Sequence, residues 1–323
     1  MNERGLRQWT RGVALAALVA ACAPFASADP IRPNALILLD VERADGALIA
    51  VGERGVVLRS EDDGGHWSSL RTAVTRSLTG LAFLTPQLAV AEGHGGALIR
   101  SEDGGRSWKS VAIPGLDDQS LLGVTAISPQ TVAAFGAFGL FLQSDDGGRS
   151  WNRREIIGPD FDRHIYGVLP LSARHWLAVG ESGTLIATDD AGATWHAQTS
   201  PYEGSFFGAV RSRDGAVIIF GMRGNVFISP DGRGDWRKVE LGTTVAFNGG
   251  RLLEDGRILL VGNNGLLALS KDGGKSFQTI TLDRGANLAT AAEAGSGAVI
   301  VAGSSGIARI PDQCLAARSQ SCE

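Results

Sequence analysis

Gly93-His94-Gly95-Gly96, then Ala97-Leu98-Ile99-Arg100, then Ser101-Glu102-Asp103-Gly104-Gly105-Arg106-Ser107-Trp108: this run recurs along the whole chain and decides its reading. The Gly-x-x-Gly pair stands at Gly52/Gly55, Gly93/Gly96, Gly136/Gly139, Gly180/Gly183, Gly221/Gly224, Gly262/Gly265 and Gly303/Gly306, in steps of 41, 43, 44, 41, 41 and 41 residues. Five positions after the second Gly comes Ser/Thr-x-Asp-x-Gly-x-x-aromatic. Its copies are Ser60/Asp62/Gly64/Trp67, Ser101/Asp103/Gly105/Trp108, Ser144/Asp146/Gly148/Trp151, Thr188/Asp190/Gly192/Trp195 and Ser270/Asp272/Gly274/Phe277. The fifth unit keeps Ser229, Asp231 and Trp236 but places Arg233 at the Gly position, and the seventh reads Pro311-Asp312 instead. A third marker lies thirteen positions before each pair. Gly80, Gly123, Gly167, Gly208 and Gly249 hold it, and Leu39 and Thr290 break it.

Each unit divides into four short apolar or β-branched runs separated by Gly, Pro or Asp turns. In the second unit they are 78–84, 87–91, 97–101 and 107–112. Such runs are strand signals, and no later stretch carries a long helical period. Four strands in about forty residues, repeated seven times, is the signature of radially arranged sheets. The expected fold is therefore an all-β, seven-bladed β-propeller over residues 29–313, with a tail at 314–323. The seventh unit stops after a third strand near 307–310. The outer strand that closes the ring is expected from residues 30–34, with the 314–322 tail as the other source; either pairing would remove an exposed sheet edge.

The repeated Asp suits a turn. Its carboxylate can accept bonds from backbone amides a few residues ahead, the Ser/Thr hydroxyl adds a local bond, and Gly supplies φ > 0 without steric cost. The aromatic ring can pack between neighbouring sheets, burying about 150–250 Å². Asp62, Asp103, Asp146, Asp190, Asp231 and Asp272, with Trp67, Trp108, Trp151, Trp195, Trp236 and Phe277, are accordingly read as structural. A catalytic pair of carboxylates needs unlike groups converging on one point, whereas a repeat spaces like groups apart. The Gly-x-x-Gly pairs open no helix, so they offer no helix N-terminus to a phosphate.

The 323 residues carry 30 basic and 34 acidic side chains, a net charge of −4 that argues against a nucleic-acid partner. The 44 glycines lack a Gly-X-Y period, which excludes collagen. Residues 1–28 read as an export signal: Arg4, Arg7 and Arg11, a short apolar stretch, then Ala26-Ser27-Ala28 before Asp29. Val19-Ala20-Ala21-Cys22 supports a second reading, a lipoprotein signal that would lipidate Cys22. Both place the mature chain in the periplasm or cell envelope, with no later span. Cys314 and Cys322 are then a plausible disulfide. No metal or cofactor is expected.

The Ser/Thr-x-Asp-x-Gly-x-x-Trp run resembles the Asp-box, or bacterial neuraminidase repeat. Ala50-Val51-Gly52-Glu53-Arg54-Gly55, Ala178-Val179-Gly180-Glu181-Ser182-Gly183 and residues 101–108 are similar to the repeat of photosystem II stability/assembly factors. The resemblance covers residues 35–310. It implies an exported, non-catalytic, monomeric propeller that binds another protein, an envelope or membrane protein, during assembly of a complex. The partner face is expected at the end carrying the Gly-x-x-Gly turns and inter-blade loops, with Arg54, Arg76, His94, Arg163, His164 and Arg223.

Two alternatives belong to other classes. A sialidase-like glycosidase would need an Arg triad and a Tyr paired with Glu; only Tyr166 and Tyr202 exist, and Tyr202-Glu203 is the one pair of that kind. A glycan-binding propeller would repeat an aromatic at each sugar site, but the repeated aromatics here belong to the box.

Overall fold

The computed structural model describes residues 32–116, 118–282 and 285–316. It is a seven-bladed β-propeller. In the second blade the chain runs outward through Leu78–Phe83, Ala89–Gly93, Leu98–Ser101 and Lys109–Ser110, each strand antiparallel to the last. Six blades repeat this four-strand order. The innermost strands, among them Leu38–Ala44 of the first blade and Leu288–Glu293 of the seventh, touch their neighbours in cyclic order, first against seventh.

The second strands explain the architecture. Val132–Gly136, Trp176–Gly180, Val217–Gly221, Ile258–Gly262 and Val299–Gly303 are buried at every position. A strand apolar on both faces needs a sheet on either side. Every blade provides one, and seven separate apolar cores result, one in each gap between adjacent blades. Fully burying one Leu, Ile or Val contributes roughly 1.5–3 kcal/mol. The ring is thus held by its seven gaps, not by a central core.

The Gly-x-x-Gly pair builds the turn from second to third strand. A Cβ on Gly93 would lie 1.9 Å from the Ser77 carbonyl oxygen, and Gly96 has φ +67°. Neither position accepts another residue without backbone movement.

Each innermost strand carries a β-bulge at its second residue: Leu39, Thr79, Leu122, Tyr166, Phe207, Asn248 and Ala289. The next residue resumes pairing, and Gly holds that place in blades two to six. The register corrects the first blade. Asp40, not Leu39, pairs with Val51 as Gly80 pairs with Glu92, because the two-residue hairpin Asp45-Gly46 makes this blade one residue shorter.

The outer strands are shorter than expected: within 107–112 the strand is Lys109–Ser110, followed by one bond from the Val111 amide to the Leu98 carbonyl, since Trp108 turns inward before pairing starts. The seventh sheet has three strands among the described residues. Of the expected closing segment, Pro33–Ala35 is a short 3-10 turn instead of a strand. The Pro33 carbonyl lies where a Cβ on Gly306 would be 2.0 Å away, the place Val74 takes against Gly55 one blade on. After the last strand, Asp312–Ala316 forms one helical turn that buries Leu315 between the sixth and seventh blades. Cys314 is disulfide-bonded. Cys322, like the expected export signal and Cys22, lies outside the described residues.

Candidate functional site

The two ends of the ring differ in chemistry. One carries the hairpins from first to second strand and from third to fourth, hence the boxes. The other carries the Gly turns, the starts of the inner strands and the inter-blade loops.

At the box end the carboxylates are consumed locally. The Ser101 hydroxyl donates to Asp103 Oδ1 at 2.8 Å and accepts from the Gly105 amide at 2.9 Å. Asp103 Oδ1 also accepts from the amides of Arg106 and Ser107 at 3.0 and 2.9 Å, and Oδ2 from the Ser107 hydroxyl at 2.5 Å. Asp62, Asp146, Asp190 and Asp272 repeat the pattern. The hydroxyl and amide of Thr194, with the Thr188 hydroxyl, hold Asp190 down to about 2. In the irregular fifth box Asp231 accepts only from the Arg233 amide, at 2.9 Å, and the Ser229 hydroxyl turns to the Gly234 carbonyl. The rings face the preceding blade. Trp108 packs with Ile49, Val51 and Val57 of blade one, and Trp195 lies edge-on to Phe141 of blade three at 5.3 Å. Phe277 packs into the gap between blades five and six.

The Gly-turn end carries all six expected partner-face residues, but spreads them around the ring. Arg54 and Arg223 occupy turn apices with φ +57° and +56°. Arg76 reaches toward Asp118 at 3.9 Å, and exposed His94 opens the second turn. Arg163 Nη1 donates to the Ser182 carbonyl at 3.2 Å, and the His164 amide donates to Glu181 Oε2 at 3.1 Å. Arg76 lies along the Gly95 apex beside His94, and Arg163 and His164 form a second local group.

That group continues into aromatic residues that no repeat marks. Phe138, at the third turn's apex, lies edge-on to His164 at 4.8 Å; His164 meets Tyr166 at 6.1 Å, and Tyr166 meets Phe207 at 5.5 Å. Tyr202, by contrast, packs on Phe206 and Phe227 in the gap between blades four and five.

A second polar group lines the inner strands. Asp40 Oδ2 accepts from the Leu81 amide of blade two at 2.8 Å, and Oδ1 from the Thr290 hydroxyl of blade seven at 3.0 Å. Arg251 of blade six donates to the Ala291 carbonyl of blade seven at 3.1 Å and to Glu42 of blade one at 2.6 Å. Glu92 is fully buried and has the Thr79 hydroxyl beside both carboxyl oxygens, at 3.1 and 3.2 Å. Burial pushes Glu92 up to about 8 and, with the nearby Glu42 charge, Asp40 up to about 7. Among the described residues no three His, Cys, Asp or Glu side chains gather into a metal site, and no helix is long and apolar enough to cross a membrane.

A family model described as photosynthesis system II assembly factor YCF48 matches residues 61–245. Among solved structures, YCF48 from Cyanidioschyzon merolae aligns with a TM-score of 0.68 and 17% identity, covering 86% of this chain and 95% of that one. YCF48 bound to a D1 peptide aligns at 0.66 and 16%, over 84% and 90%. The WD40 β-propeller domain of Doa1 aligns at 0.67 and 16%, over 85% and 92%, so at this identity the likeness is one of fold. No curated protein matches the sequence.

Proposed function

The chain belongs to the photosynthesis system II assembly factor YCF48 family, and from that premise we propose that it is a non-catalytic propeller that binds a protein of the cell envelope while a complex is assembled. One observation carries the reading. The regular box carboxylates accept hydrogen bonds inside their own turns, at the end opposite the turn arginines. The chemistry available to a partner then lies on the Gly-turn end, as planar guanidinium donors and exposed rings. A YCF48 structure holding a D1 peptide supports a polypeptide as the bound class. Residues 1–28, read as an export signal, favour action outside the cytoplasm, as a soluble protein or one anchored at Cys22.

The test is chemical crosslinking in the native envelope, purification of the tagged full chain and mass spectrometry. One membrane or envelope protein should be enriched, and Arg163→Glu with Arg223→Glu should reduce its yield. Glycan-array binding without any enriched protein would favour the glycan reading instead. The mass of the mature N-terminus separates cleavage before Asp29 from lipidation at Cys22.

A further inference from the structure

Within that protein-binding reading, on which this inference rests, we propose that the ridge Phe138–His164–Tyr166–Phe207 is the anchor site, taking an aromatic or long aliphatic side chain of an acidic peptide segment.

Position in the repeat singles these residues out. The turn apices adopt φ near +55° in six blades, where Gly or Asn is least strained. Blades two and six place Gly95 and Asn264 there, while blade three places Phe138, which is 70% exposed. A bulky ring in the left-handed region, left in water, is costly twice over and contributes nothing to the core. Tyr166 and Phe207 sit at the bulged residue of their inner strands, where Thr79, Asn248 and Ala289 stand in blades two, six and seven. Rings at both variable positions therefore coincide only across blades three to five.

The geometry is continuous. Three successive edge-to-face contacts, at interplanar angles of 87°, 85° and 82°, lead from the exposed apex to the inner strand of blade five. The Phe138 amide donates to His164 Nδ1 at 3.2 Å, which leaves the imidazole proton on Nε2 and holds that ring upright. Met222, 38% exposed at the next turn but one, adds a second adaptable apolar group; its amide is fixed to the Ser205 carbonyl at 3.0 Å.

Charge selects the class of segment. The acidic side chain of the neighbouring turn, Glu181, is engaged by the His164 amide at 3.1 Å. Arg223 stands at the blade-five apex, and Arg163 commits only one guanidinium N–H, to Ser182. An apolar anchor flanked by carboxylates complements this arrangement.

The test selects dodecapeptides from a random phage-displayed library on the full chain and measures their affinity by fluorescence anisotropy. Selected peptides should pair a Phe, Trp, Leu or Met with nearby Asp or Glu. Phe138→Ala, which removes no buried contact, should weaken them at least tenfold, and Arg223→Gln severalfold. Arg237→Ala, on an outer strand, should leave affinity unchanged. Peptides indifferent to Phe138→Ala overturn the ridge while leaving the protein-binding reading intact. Phe138-dependent self-association in sedimentation, or Phe138-dependent binding of an oligosaccharide, assigns another occupant and overturns it too. An empty selection overturns both readings.

Discussion

The Thr290 hydroxyl donates to Asp40 Oδ1 at 3.0 Å, joining the seventh blade to the first across 250 residues of chain. In the pairing register both residues take the place that Gly80, Gly123, Gly167, Gly208 and Gly249 fill elsewhere. Glycine serves there because space is short: a Cβ on Gly249 would lie 2.4 Å from the Ala289 carbonyl oxygen of the next inner strand, and one on Gly123 or Gly208 would lie 2.4 or 2.5 Å from the ring of Phe135 or Phe220 in its own blade. At the seam, side chains replace glycine and bond to each other. Asp63 adds a second seam contact, accepting from the Gly295 amide at 2.8 Å. The sheet with only three described strands is thus tied to its neighbour by polar staples as well as by the apolar gap between them.

Asp40 accepts from Thr290, from Leu81 and from its own neighbour Val41, so Asp40→Ala should be the costlier of the two seam substitutions. Leaving the Leu81 amide unpaired costs about 1–3 kcal/mol, whereas Thr290→Val removes one bond, worth about 1 kcal/mol. Urea denaturation of both variants measures the difference. Equal losses would mean that Asp40 does not hold three blades together.

Arg251 and Glu42 form the other inner staple, with side chains 31% and 25% exposed. Breaking such a pair from one side strands the remaining charge, so Arg251→Ala should lose roughly 2 kcal/mol, below the 3–5 kcal/mol of fully buried pairs. The double variant Arg251→Met with Glu42→Leu should recover most of that loss. A double variant no more stable than Arg251→Ala would show that the Arg251 bond to Ala291 matters more than the ion pair.

The period, the strand-rich second and third positions and the box were legible in the sequence because each is a short-range pattern repeated in phase. The seam was not. Asp40 was hidden by a hairpin one residue shorter than its counterparts, which moved it out of the thirteen-residue count. Arg251 and Glu42 are 209 residues apart and share no motif. The ridge is illegible for a related reason: Phe138, Tyr166 and Phe207 depart from the repeat, so no periodicity marks them. Their signal was available as bulky apolar residues at an apex and at bulge positions, once the register was known. The six basic residues lie at the Gly-turn end, as their loops imply, but their spacing around the ring cannot be read from loops of unequal length.

Removing the box carboxylate should cost more in a regular box than in the irregular one. Asp103 accepts two amide bonds and two hydroxyl bonds, whereas Asp231 accepts one amide bond. Asp103→Ala should therefore lower stability by about 1–2 kcal/mol, after allowance for its solvent access, or a Tm shift of a few degrees in a domain of this size. Asp231→Ala should shift Tm less. Calorimetry on the two variants decides it; a larger shift for Asp231 would mean that the box acts through packing of its ring and not through its turn.

Glu92 makes the sharpest pH prediction. The Thr79 hydroxyl has one proton, and it lies 3.1 Å from the Leu121 carbonyl as well as beside the Glu92 carboxyl. With Glu92 protonated, the acid donates to Thr79 and Thr79 donates to Leu121, linking blades two and three. With Glu92 ionised, Thr79 must turn to the carboxylate and the link is lost. Burial raises Glu92 from 4.5 to about 8, and burial with the Glu42 charge raises Asp40 from 3.8 to about 7. Between the unfolded and folded values the native state binds more protons than the unfolded chain. Stability therefore falls as pH rises from about 4 toward 8, by up to about 1.4 kcal/mol per pH unit for each group. The box carboxylates act in the opposite direction below that window, because Asp190, held near 2, loses its contribution progressively as pH falls from its unfolded value through about 2. Tm should accordingly be highest near pH 4 to 5 and decline to pH 8. Glu92→Gln keeps the shape and hydrogen-bonding capacity without a charge, so it should flatten the alkaline limb and raise Tm at pH 8. An unchanged slope in that variant would assign the pH dependence to Asp40 alone.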